Sequence, residues 1–196
     1  MVLIIDNYDS FTYSLCQIAG ERMPDVMVAL NDQISLESIG SMRPTHIIIS
    51  SGAGRPEGAG ICMAAIRHFA GACPILGINL GHLAICESFG MAIKHAEAPA
   101  HGKKRLVHIA NGSPVFQGLP PLLEAGMYCS LAADRSTLPD ALLVIAENES
   151  GEVMGVKHRD HDTFGLQFNP ESILTRDGDR IIANFLSIGI GGDSND

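Results

Sequence analysis

The segment "ILGINLGHLAICESFG", residues 75–90, decides how the rest of the chain is read. Ile75 and Leu76 run into Gly77, a single residue separates that glycine from Asn79, and Gly81 opens a stretch with helical character. A strand, a sharp glycine-flanked turn and a helix in that order push the residue at the tip into a pocket, which is how α/β enzymes present a nucleophile. Asparagine is not a nucleophile. It does tolerate left-handed backbone geometry better than most non-glycine residues, so the turn can persist at residue 79 without its chemistry.

Outward from this turn, "VLII" at 2–5, "VMVAL" at 26–30, "HIIIS" at 46–50 and residues 74–78 read as short strands buried on both faces. Between the first two, "SFTYSLCQIAGERM" places apolar residues at 11, 15, 18 and 19 behind Ser10, the pattern of an amphipathic helix capped by that serine. Residues 60–70 and 81–89 read as further helices. Strands alternating with helices predict an α/β fold, an open, mostly parallel sheet with helices on both faces. From about 91 to 168 the pieces "MAIKHA", "RLVHIA", "ALLVIAE", "EVMGVKH" and "TFGLQF" are short and β-rich, and are expected to extend the sheet and add β-hairpins over one end. A last helix is expected at 177–188. With no repeat and no linker, residues 1–189 form one expected domain, and 190–196 a frayed tail.

A length of 196 residues suits a single domain, and a net charge of -9 with no basic cluster longer than "KKR" at 103–105 argues against nucleic acid as a partner. No apolar run approaches the roughly 20 residues that span a bilayer, and "MVLIIDNYDS" lacks the basic region and cleavage site of a secretory signal. No membrane association and a cytoplasmic location are expected. The five cysteines form no C-x-x-C pair and their odd number closes no complete disulfide framework, so they read as small buried thiols in a reducing compartment. No metal site and no cofactor are assigned. "HRDHD" at 158–162 brings imidazoles and carboxylates close together, a metal-like composition, but no metal is assigned to it.

In an open α/β sheet, ligands collect beyond the carboxyl ends of the parallel strands. Three marked turns fall there: "DNYDS" (6–10), "SSGAGRPEGAG" (50–60) and "GINLGH" (77–82). The glycine-rich loop lets backbone N–H groups approach an anion or a developing oxyanion, yet it is neither a phosphate-binding P-loop nor a G-x-G-x-x-G fingerprint.

"LIIDNYDSFTYSL", "IIISSGAGRPEGAG", "ILGINLGHLAICESFG", "AHGK", "YCSL" and "GLQFNPESILT" occur in the order and spacing of the class I glutamine amidotransferases. The chain resembles that family from Leu3 to about Leu186, and within it looks most like the small subunits of aminodeoxychorismate (para-aminobenzoate) synthase and anthranilate synthase. "ESGEVMGVKHRD" and "RIIANFL" lean toward the folate branch over the tryptophan branch without separating them. The resemblance implies a flavodoxin-like amidotransferase fold and a glutaminase half-reaction. A cysteine thiolate attacks the glutamine side-chain amide, a histidine carries the proton to leaving ammonia, a carboxylate orients that histidine, and the glutamyl thioester is hydrolysed. It also implies a heterodimer with a chorismate-binding large subunit, and glutamine as a candidate ligand.

The departures from the family pattern are specific. The elbow G-x-C-x-G-H-Q reads "GINLGHL", so the nucleophile position is Asn79 and the substrate-binding glutamine position is Leu83. Q-F-H-P-E-S reads "QFNPES", which makes Asn169 the base position and keeps Glu171 as the orienting carboxylate. "YHSL" has become "YCSL", and P-G-P-G has become "SGAG", keeping Gly52 and Gly54. Carried over by position, the resemblance puts substrate against Gly52, Gly54, Leu80, Leu83, Ser130 and Leu131. An amide offers no thiol at 79 and cannot accept and return a proton at 169, so the family reaction loses both nucleophile and base. Neither Cys86, Cys129 nor His82 offers a replacement pair. The expected function is a glutaminase-silent docking or regulatory subunit. The competing readings are a working amidotransferase that uses a non-standard site, or whose natural form carries Cys and His at these positions, and a repurposed small-molecule binder.

Overall fold

A computed structural model describes residues 1–189; the tail expected at 190–196 lies outside the described residues. The elements in chain order are β1 (Val2–Asn7), α1 (Thr12–Arg22), β2 (Val26–Leu30), α2 (Leu36–Met42), β3 (His46–Gly52), α3 (Cys62–Phe69), β4 (Ile75–Ile78), α4 (Leu80–Ser88), β5 (Ile93–Ile109), β6 (Leu122–Ala133), β7 (Leu142–Asn148), β8 (Val153–His158), β9 (Thr163–Leu166) and α5 (Gly178–Leu186). The strands form one sheet in the order β2-β1-β3-β4-β9-β8-β7-β5-β6. From β2 to β9 every pairing is parallel; from β9 through β8, β7 and β5 to β6 every pairing is antiparallel. The α/β sheet with added hairpins is thus present, mixed in sense. Among the described residues, no helix is long and apolar enough to cross a membrane.

Alternation along each parallel strand explains the helices on both faces. Val2, Ile4 and Ile48 join Leu15, Ala19, Ile181 and Phe185 in one core, under α1 and α5. Leu3, Ile5, Ile47 and Ile49 join Ile39, Ile66, Ala84 and Ile85 in the other, under α2, α3 and α4. A strand with both faces covered needs a continuous apolar run, which is why these segments carry no polar alternation.

Several expectations need correction. Ser10 is not the helix cap: α1 begins at Thr12, and Asp9 and Asp6 hold its entrance instead, Asp9 Oδ2 accepting from Phe11 N (3.0 Å) and Asp6 Oδ1 from the Thr12 hydroxyl (2.7 Å). The helix α2 was not expected, because its seven residues bury only Ile39 and it rests on a Ser35 side-chain cap. Two expected strands, at 91–96 and 105–110, are one 17-residue strand whose register with β6 slips between His95 and Ala100 and between His101 and Lys103. The strand β6 was also missed. "HRDHD" forms the β8–β9 turn: His158 Nδ1 accepts from the N–H groups of Asp160 (3.1 Å) and His161 (3.2 Å), so this imidazole shapes the turn.

The elbow depends on close backbone packing. A Cβ built on Gly81 would lie 2.5 Å from the Ile49 carbonyl oxygen, and one on Gly77 would strike the Gly81 carbonyl. Those contacts are backbone and cannot yield cheaply. Gly20, by contrast, sits within α1 with open space around its Cβ position. Gly81→Ala should therefore lower the unfolding free energy by about 2–4 kcal/mol, whereas Gly20→Ala should raise it by up to about 1 kcal/mol, read by urea unfolding followed with circular dichroism.

Candidate functional site

The crevice at the carboxyl ends of β1 and β3 lies where the strand order reverses, with β2 on one side of β1 and β3 on the other. Asn7 ties the two strand ends together, its Nδ2 donating to the Ser50 carbonyl (2.8 Å) and its backbone N–H to Ser50 Oγ (2.9 Å). The β1 and β3 turns therefore abut, and the ends of β4 and β9 close the remaining sides.

Asn79 occupies the elbow tip with φ 51° and ψ −101°. Its backbone is clamped on both sides: its N–H donates to the Leu166 carbonyl (2.8 Å) and its own carbonyl accepts from Leu83 N (3.0 Å). The side chain does not cap α4. Instead Asn79 Nδ2 donates to the Tyr128 carbonyl (2.8 Å) and, over a longer 3.4 Å, to Asn169 Oδ1. Asn169 Nδ2 donates to Glu171 Oε1 (2.6 Å) and to Ser51 Oγ (3.2 Å), and Ser51 donates its hydroxyl to Asp9 Oδ2. Both protons of each amide are thereby engaged. The Asn169 backbone is fixed as well, its N–H on the Gly126 carbonyl (3.0 Å) and its carbonyl accepting from Thr175 Oγ1 (2.7 Å).

All three turns expected to converge do so, joined by the β9 end: "DNYDS" through Asp9, "SSGAG" through Ser51, the elbow through Asn79 and "NPES" through Asn169 and Glu171. Asn79, Asn169 and Glu171 are brought together as the sequence suggested. Gly52 packs against the elbow helix, since a Cβ there would lie 3.0 Å from Leu80 Cδ2, and Gly54 has φ 87°. Leu80 and Leu83 are buried in α4. Ser130 and Leu131 are not joined to the amide chain by a hydrogen bond among the described residues; the exposed Ser130 hydroxyl is paired with His101 Nε2 at 2.8 Å. Sequence reasoning missed Ser51, Asp9 and Tyr128. The signal for Ser51 was the change from proline to a hydroxyl-bearing residue, while Tyr128 contributes a main-chain carbonyl that no side-chain pattern can announce.

The chemistry available is narrow. Ser51 is the hydroxyl of this chain of contacts, and it faces a carboxylate with no imidazole between them to carry a proton toward a leaving amine. His82 is no substitute: wholly buried and placed so that a Cβ on Gly165 would lie 2.6 Å from its Nδ1, it is pushed by burial down to about 4, against a hydrogen bond with the Gly165 backbone. Burial raises the Cys86 thiol, and raises that of Cys129 to about 11, so neither forms a thiolate near neutrality. All five cysteines are free; Cys62, Cys86 and Cys129 are buried, whereas Cys16 and Cys73 are half-buried.

Glu171 is the one strongly perturbed acid in the chain of contacts. Burial pushes its carboxyl up to about 7, with the charge of Asp9 adding to the rise and hydrogen bonds from its own N–H and from Asn169 opposing it. Its Oε2 is buried without a hydrogen-bond partner among the described residues. A folded-state pKa above the unfolded value means that the native state holds the proton more tightly. The native protein thus loses stability as pH rises from the unfolded carboxyl's range, near 4.3, through about 7. Glu171→Gln should remove that slope: urea unfolding at pH 5 and pH 8 should differ less in the variant, by up to about 3 kcal/mol.

A profile described as "Glutamine amidotransferase class-I" matches residues 3–188. The chain belongs to the class I glutamine amidotransferase family. It is 48% identical over 187 residues to aminodeoxychorismate synthase component 2 of Klebsiella aerogenes, covering 95% of this chain and 100% of that one. It is 42% identical over 191 residues to anthranilate synthase component 2 of Pseudomonas aeruginosa, covering 95% and 94%. The bifunctional protein TrpGD of Thermotoga maritima is 50% identical over 190 residues, but this chain spans only 32% of its length. Among solved structures, a Thermoplasma acidophilum protein assigned as one subunit of GMP synthase superposes with a TM-score of 0.83 at 25% identity, covering 94% of this chain and 91% of that one. A Thermotoga maritima glutamine amidotransferase superposes at 0.67 and 16% identity, with 87% and 75% covered, a likeness of fold.

Proposed function

We propose that this chain is a glutaminase-silent amidotransferase subunit that docks on a chorismate-binding synthase partner as a heterodimer and stabilises it or regulates its use of free ammonia. The observation that carries the reading is the engaged pair of carboxamides at 79 and 169. Family chemistry needs an ionisable sulfur at the elbow and an imidazole that takes and returns a proton, and here both places hold amides whose N–H groups are committed to Tyr128, Glu171 and Ser51. Nucleophile and base act as a unit, so loss of both leaves only binding and oxyanion contacts. The names of the relatives support a component 2 of either synthase, in the folate or the tryptophan branch.

Docking is supported by apolar side chains around the rim of the site. Tyr8 is 62% exposed, Tyr13 82% and Ile173 97%, all on segments at the carboxyl end of the parallel strands. These segments are contiguous: the Phe11 ring lies 4.8 Å from that of Tyr128, whose hydroxyl is 3.0 Å from Ser172 Oγ. Solvent-facing aromatic and aliphatic groups gathered on one rim favour a protein partner.

The second reading, a working amidotransferase, draws on the intact elbow geometry and on the retained Gly52 and Gly54, in the loop whose backbone N–H groups the family resemblance assigns to an oxyanion. Glutamate release from glutamine separates the two. With or without chorismate and a synthase large subunit, the protein as it stands should release glutamate at least about a thousandfold more slowly than the Asn79→Cys/Asn169→His/Leu83→Gln variant. Either catalytic change alone should recover less than about a tenth of the combined gain. Turnover by the unchanged chain would falsify the silent reading; co-purification with the large subunit without turnover is the expected result.

A further inference from the structure

Residues 110–121 join β5 to β6 and close over one of the two cores, into which they send Val115, Phe116 and Leu119, each at most 5% exposed. One side chain ties the start of this segment to its end: Asn111 Nδ2 donates to the Leu119 carbonyl at 2.6 Å. Beside it Ile109 N donates to the Pro121 carbonyl (3.0 Å). Asn184 of α5 holds the middle, donating to the carbonyls of Val115 (3.1 Å) and Gln117 (3.0 Å). The clasp that closes this connection is thus an amide, and Asn111 is exposed.

Asn111 is also the only asparagine of the chain that precedes a glycine. The backbone nitrogen after an asparagine can close a five-membered ring on the side-chain carbonyl carbon, and a glycine there offers no Cβ to obstruct the approach. The local structure leaves that approach open. Asn111 and Gly112 are the central residues of a turn closed by Ser113 N on the Ala110 carbonyl (2.9 Å). Gly112 is exposed, its N–H has no acceptor among the described residues, and a Cβ built on it would meet nothing within 4 Å. The Asp177–Gly178 step, which could close the same ring, is locked by contrast. Gly178 is buried, its N–H donates to the Thr175 carbonyl (3.2 Å), and a Cβ there would lie 1.7 Å from the Pro170 carbonyl oxygen.

We propose that Asn111–Gly112 is a site of spontaneous deamidation that releases the clasp on the β5–β6 connection. The Gly112 nitrogen gives its proton to a solvent base and attacks Asn111 Cγ. As the new N–Cγ bond closes a cyclic imide, the Cγ–Nδ2 bond breaks, and Nδ2 takes up a proton from water and leaves as ammonia. Water then opens the ring at one of its two carbonyl carbons, leaving aspartate or, where the chain is rerouted through the side chain, isoaspartate. Nothing is oxidised or reduced. The departing nitrogen is the one that holds Leu119, and the carboxylate left behind can only accept, so it faces the Leu119 carbonyl as acceptor against acceptor. Isoaspartate adds a methylene to the main chain within the turn as well. The inference is independent of the docking role and of whether the Asn79–Asn169 chain supports turnover.

The test is peptide mapping of the full chain kept folded in mildly acidic and in mildly alkaline buffer, with the chain unfolded in urea as the reference. The tryptic peptide 106–135 carries Asn111 as its sole asparagine, so its conversion from amide to acid reads this site alone. Conversion in the folded chain is expected, faster in the alkaline buffer, with isoaspartate detected by labelled methyl transfer from an isoaspartyl methyltransferase. Gly112→Ala fits the open space at that position and should slow conversion at least about tenfold. Asn111→Gln keeps an amide but would require a larger ring, and should remain unconverted, which keeps the test valid if the alanine variant folds poorly. Converted protein should unfold at a lower urea concentration than unconverted protein. A folded chain whose peptide 106–135 stays intact after the unfolded reference has converted overturns the proposal. So does equal conversion in Gly112→Ala, or an unfolding midpoint that conversion leaves unchanged.

Discussion

Backbone packed directly on backbone at the elbow is the constraint on which this structure depends. Gly81, in the first turn of α4, packs against the Ile49 carbonyl of β3, and Gly77, within β4, packs against Gly81, so strand, turn and helix meet at a distance that excludes any side chain. That approach fixes Asn79 at φ 51° and aims its side chain into the crevice, whatever the side chain is. The fold therefore preserves the presentation of residue 79 independently of its reactivity. A protein can lose the chemistry of such a turn and keep its shape, because the glycines that form the shape are not the residues that react.

What occupies the crevice follows from the need to satisfy buried polar groups. Asn79 and Asn169 are both buried, and an unpartnered amide N–H there costs on the order of 1–3 kcal/mol. Each finds acceptors: Tyr128 and Asn169 for one, Glu171 and Ser51 for the other. Ser51 completes the chain by accepting from Asn169 and donating to Asp9. The residues at 51, 79 and 169 thus form a mutually consistent polar set. The incompletely satisfied member is Glu171, whose second oxygen lacks a partner among the described residues and whose proton affinity is raised by burial.

The elements legible in the sequence were those with strong periodicity or obligatory glycines. β1, β3 and β4 stand out because both of their faces are covered, and the elbow because its glycines bracket a single tip. The helix α2 escaped notice because one buried isoleucine gives no period to detect. β6 escaped because an antiparallel ribbon exposed along one face carries weak alternation, with Glu124, Tyr128 and Ser130 interleaving Leu123, Met127 and Cys129. Ser10 was a reasonable cap by type, but two aspartates nearby reach the first-turn donors more directly.

By itself, the sequence determined the alternation of β1, α1, β2, β3, α3, β4 and α4, the elbow, the family resemblance and the identity of the groups at positions 79, 169 and 171, because each is a matter of local pattern and side-chain type. Only the tertiary structure decided where the amide protons go, that Ser51 and Asp9 complete the chain, and that His82 is shut away under Gly165. Those outcomes rest on contacts between residues far apart in the chain, such as Ser51 with Asn169, set by sheet order and strand register. Residue type limits which hydrogen bonds can form; the packing of distant segments selects among them.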